Sequence, residues 1–465
     1  MASTYLRRTP SSTGTPTKMT YSTWIKKTQV ETGQSILGAA LTSDASNYKC
    51  ALYFNSSDKI QFEQYGTGLH FNYQTNAEYR DTNGWYHFVL QYDSTNVTAG
   101  DRIKMYVNGE EITSWATESD PASDQVCYLG STNNYYTDIG NSVDYGYFNG
   151  YMAQSVFIDG TALPASTFGE TDSDTGEWKP KSEGQIRSAV TFGTNGFLLD
   201  YQNASYLGYD YQTTGRSTTN DFTVSGSGYK SQTNPSNNFC TWNQGYHNST
   251  IDPGDFTYAN TKVQNADNSN SRFGSQFAAT KGKWYYEVEW DGSVANGGTI
   301  VGFANLDLVN INDSSSFMGS ENNFIGFYIY SSNVTVYNGG GTNDYTGLSP
   351  AVGDIYGLAI DLDNGYFYIS RNGTWINSGD PTSGATGTGN VNRTGSLSYD
   401  FSGLLMGPAG GAQNSDYINC NFGDGYFEGV SAGATNADDN SQGVFKYDVP
   451  AGYYAMCTKN LREFG

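Results

Sequence analysis

Trp85-Tyr86-His87-Phe88-Val89-Leu90-Gln91-Tyr92, followed by Arg102-Ile103-Lys104-Met105-Tyr106-Val107-Asn108-Gly109-Glu110-Glu111-Ile112, decides the fold class. Apolar side chains recur with a period of two, the signature of a half-buried strand, and not at the 3.6-residue spacing of a helix. Asn108-Gly109 interrupts the second run with two residues that accept positive φ cheaply, which is what a type I′ hairpin turn needs. The reading is strand, strand, Asn-Gly turn, return strand.

The same grammar returns in the second half of the chain. Lys281-Gly282-Lys283 leads into Trp284-Tyr285-Tyr286-Glu287-Val288-Glu289-Trp290, and Tyr366-Phe367-Tyr368-Ile369-Ser370 runs through Arg371-Asn372-Gly373 into Thr374-Trp375-Ile376. The spacing differs: Trp85 and Asn108 are 23 residues apart, Trp284 and Asn372 are 88. The halves are therefore two sandwiches with different strand orders, not a tandem repeat. At about 150–200 residues per all-β domain, 465 residues accommodate both and a connection.

Composition narrows the function. With 24 Lys plus Arg against 46 Asp plus Glu, the net charge is −22, which opposes a phosphate backbone and predicts no nucleic-acid partner. No apolar run approaches the ~18 residues of a membrane span, so no membrane insertion is expected. Aromatics at 15% exclude a disordered chain. Arg7-Arg8 is followed by no apolar segment, so the opening does not read as a secretory signal, and synthesis in a reducing cytoplasm is expected. Cys50, Cys127, Cys240, Cys420 and Cys457 are odd in number and far apart, with no C-x-x-C. Free, buried thiols are expected, and no zinc site.

The boundaries read as an extended N-terminal arm at 1–17, a first sandwich at 18–180, a Ser/Thr/Asn/Gly-rich ordered connector with some strands at 181–270, and a second sandwich with a C-terminal extension at 271–465. The arm, with Pro10 and Pro16, is expected to dock on a partner chain or on the second sandwich.

Residues 18–180 resemble a laminin-G-like, concanavalin A-type lectin domain. The resemblance rests on Thr23-Trp24-Ile25-Lys26, on Trp85-Tyr86-His87, on Asp101 through Gly109, and on Phe148-Asn149-Gly150-Tyr151-Met152-Ala153 with Val156-Phe157-Ile158-Asp159-Gly160. It makes Trp24 and Trp85 core plugs. Residues 272–424 resemble a SPRY domain, on Gly282 through Val288, Ile300-Val301-Gly302-Phe303-Ala304, Val352 through Asp361, Phe367 through Gly373 and Cys420-Asn421-Phe422-Gly423. The fold these imply is all-β: two concanavalin A-like antiparallel sandwiches, or jelly rolls, joined by the connector. The opening Ala2-Ser3-Thr4-Tyr5-Leu6, the connector Gly193 through Asp200 and the ending Tyr453 through Leu461 resemble virion proteins of tailed, marine-type bacteriophages.

Four constellations bear on chemistry. Glu287, Glu289 and Asp291 share one face of a strand, as the paired carboxylates of a glycosidase would. The competing reading is an ordinary sandwich strand with its acids facing solvent. A Ser/His/Asp triad has only His87 in a strand, and His70 and His247 in polar loops, to supply its base, and no Gly-x-Ser-x-Gly elbow. Asp361, Asp363 and Asn364, and likewise Asp172 and Asp174, are spaced for a loop-bound calcium, but Asp363-Asn364-Gly365 also reads as a hairpin turn. No cofactor is expected.

The fourth constellation is a pair of tyrosine-rich stretches read as loops, Asn133 through Asp138 and Gly341 through Gly347. They combine aromatic planes with amides and hydroxyls, the mixture a sugar ring needs and also the composition of adaptable protein-binding loops, although Tyr is in any case this chain's commonest aromatic. Tyr135, Tyr136, Asp138, Asn343 and Tyr345 are the candidate ligand-binding residues. The phage resemblance implies a non-enzymatic tail fibre or short appendage that adheres to a host-surface glycan or receptor. Its partners would be other virion proteins and further copies of itself, a trimer if it forms a fibre. Capsid decoration is the structural alternative, and a glycan-cleaving hydrolase the enzymatic one.

Overall fold

The computed structural model describes residues 4–465 except 131–133, 218–219, 253–254, 265–269, 291–297, 331–332, 347, 394–398, 413–415 and 434. The chain divides into two compact units, Met1–Lys230 with Asn234–Ser236, and Ser231–Thr233 with Asn237–Gly465. Each is built on two large antiparallel sheets enclosing an apolar core, the all-β class that the period-two runs predict.

In the first unit the strands follow in chain order: β1 (Tyr5–Arg8), β2 (Lys18–Lys27), β3 (Gln34–Leu41), β4 (Lys49–Phe54), β5 (Lys59–Tyr65), β6 (Leu69–Glu78), β7 (Tyr86–Asp93), β8 (Ile103–Val107), β9 (Glu110–Glu111), β10 (Trp115–Ser119), β11 (Tyr135–Ile139), β12 (Gly150–Asp159), β13 (Gly169–Thr171), β14 (Trp178–Pro180), β15 (Phe197–Leu199), β16 (Asp210–Thr213), β17 (Gly215–Ser217) and β18 (Thr223–Ser225). One sheet has the order β10-β6-β5-β4-β3-β11-β1-β18, and the other β15-β12-β2-β7-β8-β9. Between them lie Phe62, Phe71, Phe88, Leu90, Leu52 and their neighbours. The Asn108-Gly109 turn is as read, with φ of 49° and 88°.

The outer face of the six-stranded sheet carries a second buried layer. Val89, Val156, Ile158 and Leu198 meet Phe168, Phe192 and Ile186, the last on helix α1 (Glu183–Ala189). Ser182 and Gln185 cap that helix reciprocally. This layer moves Trp24 from its expected place. The tryptophan is buried, but it stacks on His87 with ring centres 4.5 Å apart. Met19, Tyr21 and Ile25 face the inter-sheet core, so the strand pleat turns Trp24 to the opposite side. Trp85 is half-buried beside Tyr151.

The arm is a second correction. Tyr5–Arg8 pairs with β11 on one side and β18 on the other, so it is an internal strand of the first unit's own sheet. Leu6 reaches the core, while Arg8 is enclosed by Phe197 and Phe222 at 5.4 and 5.2 Å and donates to the carbonyl of Asn195 at 2.8 Å. The stretch 181–270 supplies β15 and β18 to this unit and the next three strands to the other.

In the second unit the strands are β19 (Trp242–His247), β20 (Phe256–Thr257), β21 (Lys262–Gln264), β22 (Phe273–Ser275), β23 (Lys283–Glu289), β24 (Thr299–Asn305), β25 (Phe324–Tyr330), β26 (Asn333–Asn338), β27 (Gly341–Thr346), β28 (Ile355–Asp361), β29 (Tyr366–Arg371), β30 (Thr374–Trp375), β31 (Met406–Ala412), β32 (Tyr417–Asn421), β33 (Tyr426–Phe427), β34 (Val430–Ser431) and β35 (Tyr454–Ala455), the last pairing in parallel with β23. The sheets are β19-β22-β31-β24-β25-β26-β27 and β20-β21-β32-β23-β28-β29-β30. Trp284, Tyr286 and Val288 point into the core. On the opposite face of the same strand, Tyr285 is roofed by Phe445, Tyr453 and Ala455 of the C-terminal segment. Asn372 and Gly373, with φ of 49° and 80°, form the expected hairpin.

Candidate functional site

Both tyrosine-rich stretches are strands, not loops. Asn133 and Gly347 lie outside the described residues, but Tyr135–Ile139 is β11, hydrogen-bonded between β3 and β1, and Gly341–Thr346 is β27, at the end of its sheet. The pleat then separates the candidate residues. Tyr135 faces inward and stacks on Tyr128 at 4.3 Å. Tyr136 and Asp138 face outward. In the second unit, Tyr345 packs against the core, Asn343 shares its side of the strand, and neither belongs to the same unit as Tyr135, Tyr136 and Asp138.

Arg7 organises the outward face around β11. Its Nε and Nη2 donate to the two carboxylate oxygens of Asp138, each at 2.7 Å, in the fork geometry that only arginine provides. Its guanidinium lies 3.9 Å from the Tyr136 ring centre and 5.1 Å from that of Tyr5. The Asp138 hydrogen bonds hold the Arg7 pKa above its ordinary value. Burial raises that of Tyr136, against the pull of Arg7. Two of five guanidinium donors are used on Asp138, and 40% of the side chain is exposed. Tyr136 and Asp138 are candidates read from the sequence; Arg7 and Tyr5 join them only in the structure, because their proximity depends on pairing across about 130 residues.

Across β1, Arg7 faces Thr223 and Tyr5 faces Ser225 in register. A groove of about 440 Å³ opens along this edge, lined by Tyr5, Arg7, Thr9, Asp221, Thr223 and Ser225 among others. That volume is within the ~300–1,000 Å³ of small-molecule sites. Tyr147, 44% exposed, stands with its ring 6.0 Å from that of Tyr5.

The same sheet face continues over β4, β5 and β6. Tyr53 pairs with Gln61, and Glu63 with Asn72. Gln61 Nε2 donates to Glu63 Oε2 and Asn72 Oδ1, each at 3.0 Å. Residues 140–148 lie across this part. The Tyr145 ring covers Tyr53 with centres 3.5 Å apart and planes 6° apart, and its hydroxyl donates to Glu63. Burial pushes the Glu63 carboxyl above its usual range, partly offset by the Tyr145 and Gln61 hydrogen bonds. The close approach needs Gly38: a Cβ there would sit 2.5 Å from the Asn141 carbonyl oxygen.

The other constellations are structural. Glu287 is fully buried, which corrects the solvent-facing reading of its strand. Its carboxylate accepts the backbone N–H groups of Lys446 and Tyr447 at 2.8 Å each, Asn421 Nδ2 at 3.1 Å and the Tyr285 hydroxyl at 3.2 Å. Glu289 accepts from Asn419 at 2.8 Å, and Asp291 lies outside the described residues. Ser22 Oγ is 2.8 Å from His87 Nε2, but Nδ1 accepts from Trp178 Nε1 at 2.9 Å, where a triad would place an acid. His70 lies in β6 and His247 ends β19, so neither is in a loop. Asp361 accepts the N–H groups of Asp363 and Asn364 at 3.1 and 3.0 Å and pairs with Lys283. Asp172 likewise caps Asp174 and Thr175 and pairs with Lys179. Both are turn acceptors, and among the described residues no cluster of three or more metal-ligating side chains occurs. All five cysteines are buried thiols. No described helix is long and apolar enough to cross a membrane.

Residues 2–167 match the family model of the concanavalin A-like lectin/glucanases superfamily. The model covers most of the first unit, including β1, and the fold is of the concanavalin A-like, laminin G type. No curated protein matches the sequence. Among solved structures, the SPRY domain of human HERC1 is similar at 11% identity over 38% of this chain and 96% of that one, with a TM-score of 0.28. Domains LG4-5 of the mouse laminin α1 chain are similar at 9% identity over 90% of this chain and 85% of that one, also at 0.28. The CBM40 of a Ruminococcus gnavus sialidase, bound to α2,3-sialyllactose, is similar at 17% identity over 30% and 75%, at 0.23.

Proposed function

We propose that the first unit recognises glycans through the outer face of its eight-stranded sheet, and that the chain is a non-enzymatic virion surface protein. In this reading it is a tail fibre or short appendage that attaches a phage to its host. The observation that carries glycan recognition is the groove along β1 and β18. Tyr5 offers an aromatic plane for the C–H face of a sugar, Arg7 offers planar donors, and Thr223, Ser225 and Asp221 offer hydroxyls and a carboxylate. The pairing with Asp138 neutralises Arg7, which suits neutral sugars better than strongly anionic ones. The lectin-type family match supports the same reading.

The virion assignment is supported by the sequence resemblance at the opening, connector and ending. It makes other virion proteins and a host-surface glycan or receptor the partners, with trimeric assembly in a fibre. Binding rather than cleavage is supported by Glu287, whose carboxylate is saturated by four donors under the C-terminal segment.

The test is the full-length protein on an array of bacterial surface polysaccharides, followed by a reducing-end assay on each bound glycan. Binding without release of reducing ends is expected. Cleavage that disappears in Glu289→Gln would make it a hydrolase, and no binding to any glycan would favour capsid decoration.

A further inference from the structure

Residues 140–148 form a strap that lays the Tyr145 ring over the outer face of the sheet. The floor beneath it is the Tyr53 ring. The polar groups beside it are Glu63, Gln61 and Asn72, a carboxylate and two planar amides in one hydrogen-bonded row. Lys49 stands at the rim over Tyr65. These groups face outward from β4, β5 and β6 and contribute nothing to the inter-sheet core, which the alternate residues Leu52, Phe62, Phe71 and Tyr73 fill.

Tyr145 is a poor aromatic partner for Tyr53. Ring quadrupoles favour offset or edge-to-face pairs with centres about 4.5–7 Å apart. Here the rings are nearly parallel with centres at 3.5 Å. A saturated ring presenting C–H bonds meets an aromatic plane without that repulsion. The Tyr145 hydroxyl bonds to Glu63 as a sugar hydroxyl would.

The ends of the strap are fixed, by Gly140 N–H on the Ile36 carbonyl at 2.9 Å, Ser35 N–H on the Gly146 carbonyl at 3.4 Å and Phe148 against the core; its tip is held by polar side-chain contacts. Asn141 Nδ2 donates to Asp138 at 2.8 Å, the hydroxyls of Ser35 and Ser142 meet, and Asp144 pairs with Lys49 at the rim. Exposed pairs of the last kind contribute little. Val143 and Tyr147 on the strap are 41% and 44% exposed, so lifting it forfeits little of their apolar burial. Gly140 and Gly146, with φ of 80° and 72°, bracket the tip with left-handed turns that other residues disfavour.

We propose that Tyr145 is a built-in ligand mimic: the face formed by Tyr53, Gln61, Glu63 and Asn72 is a second sugar subsite, specific for a neutral pyranose with adjacent hydroxyls, and Tyr145 closes it until a glycan displaces the strap. This rests on the glycan-binding reading and adds to the open groove along β1 and β18 a subsite that extends across the same sheet. A glycan long enough to reach both would gain affinity only by opening the strap.

The experiment compares full-length wild type and Tyr145→Ala, by calorimetry, against the neutral polysaccharide fragments retained on the array. Tyr145→Ala is expected to bind at least tenfold more tightly, and the gain is expected to vanish in Tyr53→Ala/Tyr145→Ala. In the wild type, amide hydrogen exchange across 140–148 is expected to speed up when the glycan is added. Should Tyr145→Ala fail to fold, Tyr145→Phe removes only the hydroxyl bond to Glu63 and is expected to give a smaller gain of the same sign. Equal affinity of wild type and variant, with exchange across 140–148 unchanged by ligand, overturns the strap proposal while leaving the open groove standing. Absence of glycan binding by every form overturns both.

Discussion

Trp178 Nε1 donates to Nδ1 of His87 at 2.9 Å, and this single bond fixes what the histidine can be. Nδ1 is an acceptor, so the ring is the neutral Nε2–H tautomer, and Nε2 donates to Ser22 Oγ. Burial without an acidic partner lowers the His87 pKa to about 3.

Acid sensitivity follows with a definite sign. The folded-state value lies below the ordinary ~6.5 of an unfolded histidine, so His87 contributes full stability above that value and loses it as pH falls towards 3. The full loss is about 5 kcal/mol for a shift of this size. Denaturant unfolding followed by tryptophan fluorescence between pH 7 and 3.5 is expected to show a steep decline in the wild type. His87→Gln, which starts lower, is expected to show a shallower one.

Lys27 and Asp58 are both fully buried and meet at 2.7 Å, with Lys27 also donating to the Tyr79 carbonyl at 3.0 Å. Burial lowers the Lys27 pKa and Asp58 opposes that shift. Without Lys27, Asp58 keeps the Glu31 N–H at 2.9 Å and Arg80 Nε at 3.4 Å but loses its buried partner, so Lys27→Met is expected to destabilise the first unit by about 1–3 kcal/mol. Loss of less than about 1 kcal/mol in equilibrium unfolding would contradict the pairing.

Arg8 is the converse case. Its guanidinium is buried between two phenylalanines, its Nε and Nη1 have no hydrogen-bond partner, and burial lowers its pKa to about 10. An apolar side chain of similar length avoids the desolvation at the cost of the two hydrogen bonds from Nη2, to the Asn195 carbonyl at 2.8 Å and the Gly130 carbonyl at 3.4 Å. Arg8→Met is expected to leave the unfolding midpoint unchanged or raise it, because replacing incompletely satisfied buried charge by hydrophobic volume is neutral or stabilising by about 1–4 kcal/mol. A drop above about 2 kcal/mol would show that the cationic stacking outweighs desolvation.

Glu287 anchors the C-terminal segment, and its role separates structure from chemistry. Glu287→Gln turns one acceptor oxygen into a donor that faces backbone N–H groups. A stability loss of about 1–3 kcal/mol in the second unit is expected, with glycan binding unchanged.

The sequence disclosed features that depend on neighbours in the chain. Asn108-Gly109 and Asn372-Gly373 are legible because a type I′ turn is a local demand on φ, and Cys50 and Cys420 are buried as their strand parity requires. What failed depends on distant pairing. Tyr5–Arg8 has partners at 137–139 and 223–225, so nothing nearby marks it as an internal strand. Tyr135–Asp138 reads as a loop because its polar residues suit turns, yet in β11 Tyr136 and Asp138 occupy the outward side of the pleat while Tyr135 and Thr137 turn inward. Glu287 reads as solvent-facing because its cover arrives from residues 445–455, far along the chain. The outer sheet face was therefore visible only in part, through Tyr136 and Asp138, while Arg7, Tyr5, Tyr53 and Glu63 needed the fold to bring them together.

Whether the outer face of the first unit's eight-stranded sheet binds a glycan is decided by the calorimetric affinity of the full-length protein for the tightest array glycan, in wild type, Tyr5→Ala and Tyr345→Ala. Tyr5 lines the groove while Tyr345 packs against the core of the other unit. Tyr5→Ala is expected to weaken binding at least tenfold, and a folded Tyr345→Ala to leave it unchanged. Unaltered affinity in Tyr5→Ala, with loss in Tyr345→Ala, would place the site on the second unit and contradict glycan binding by this face.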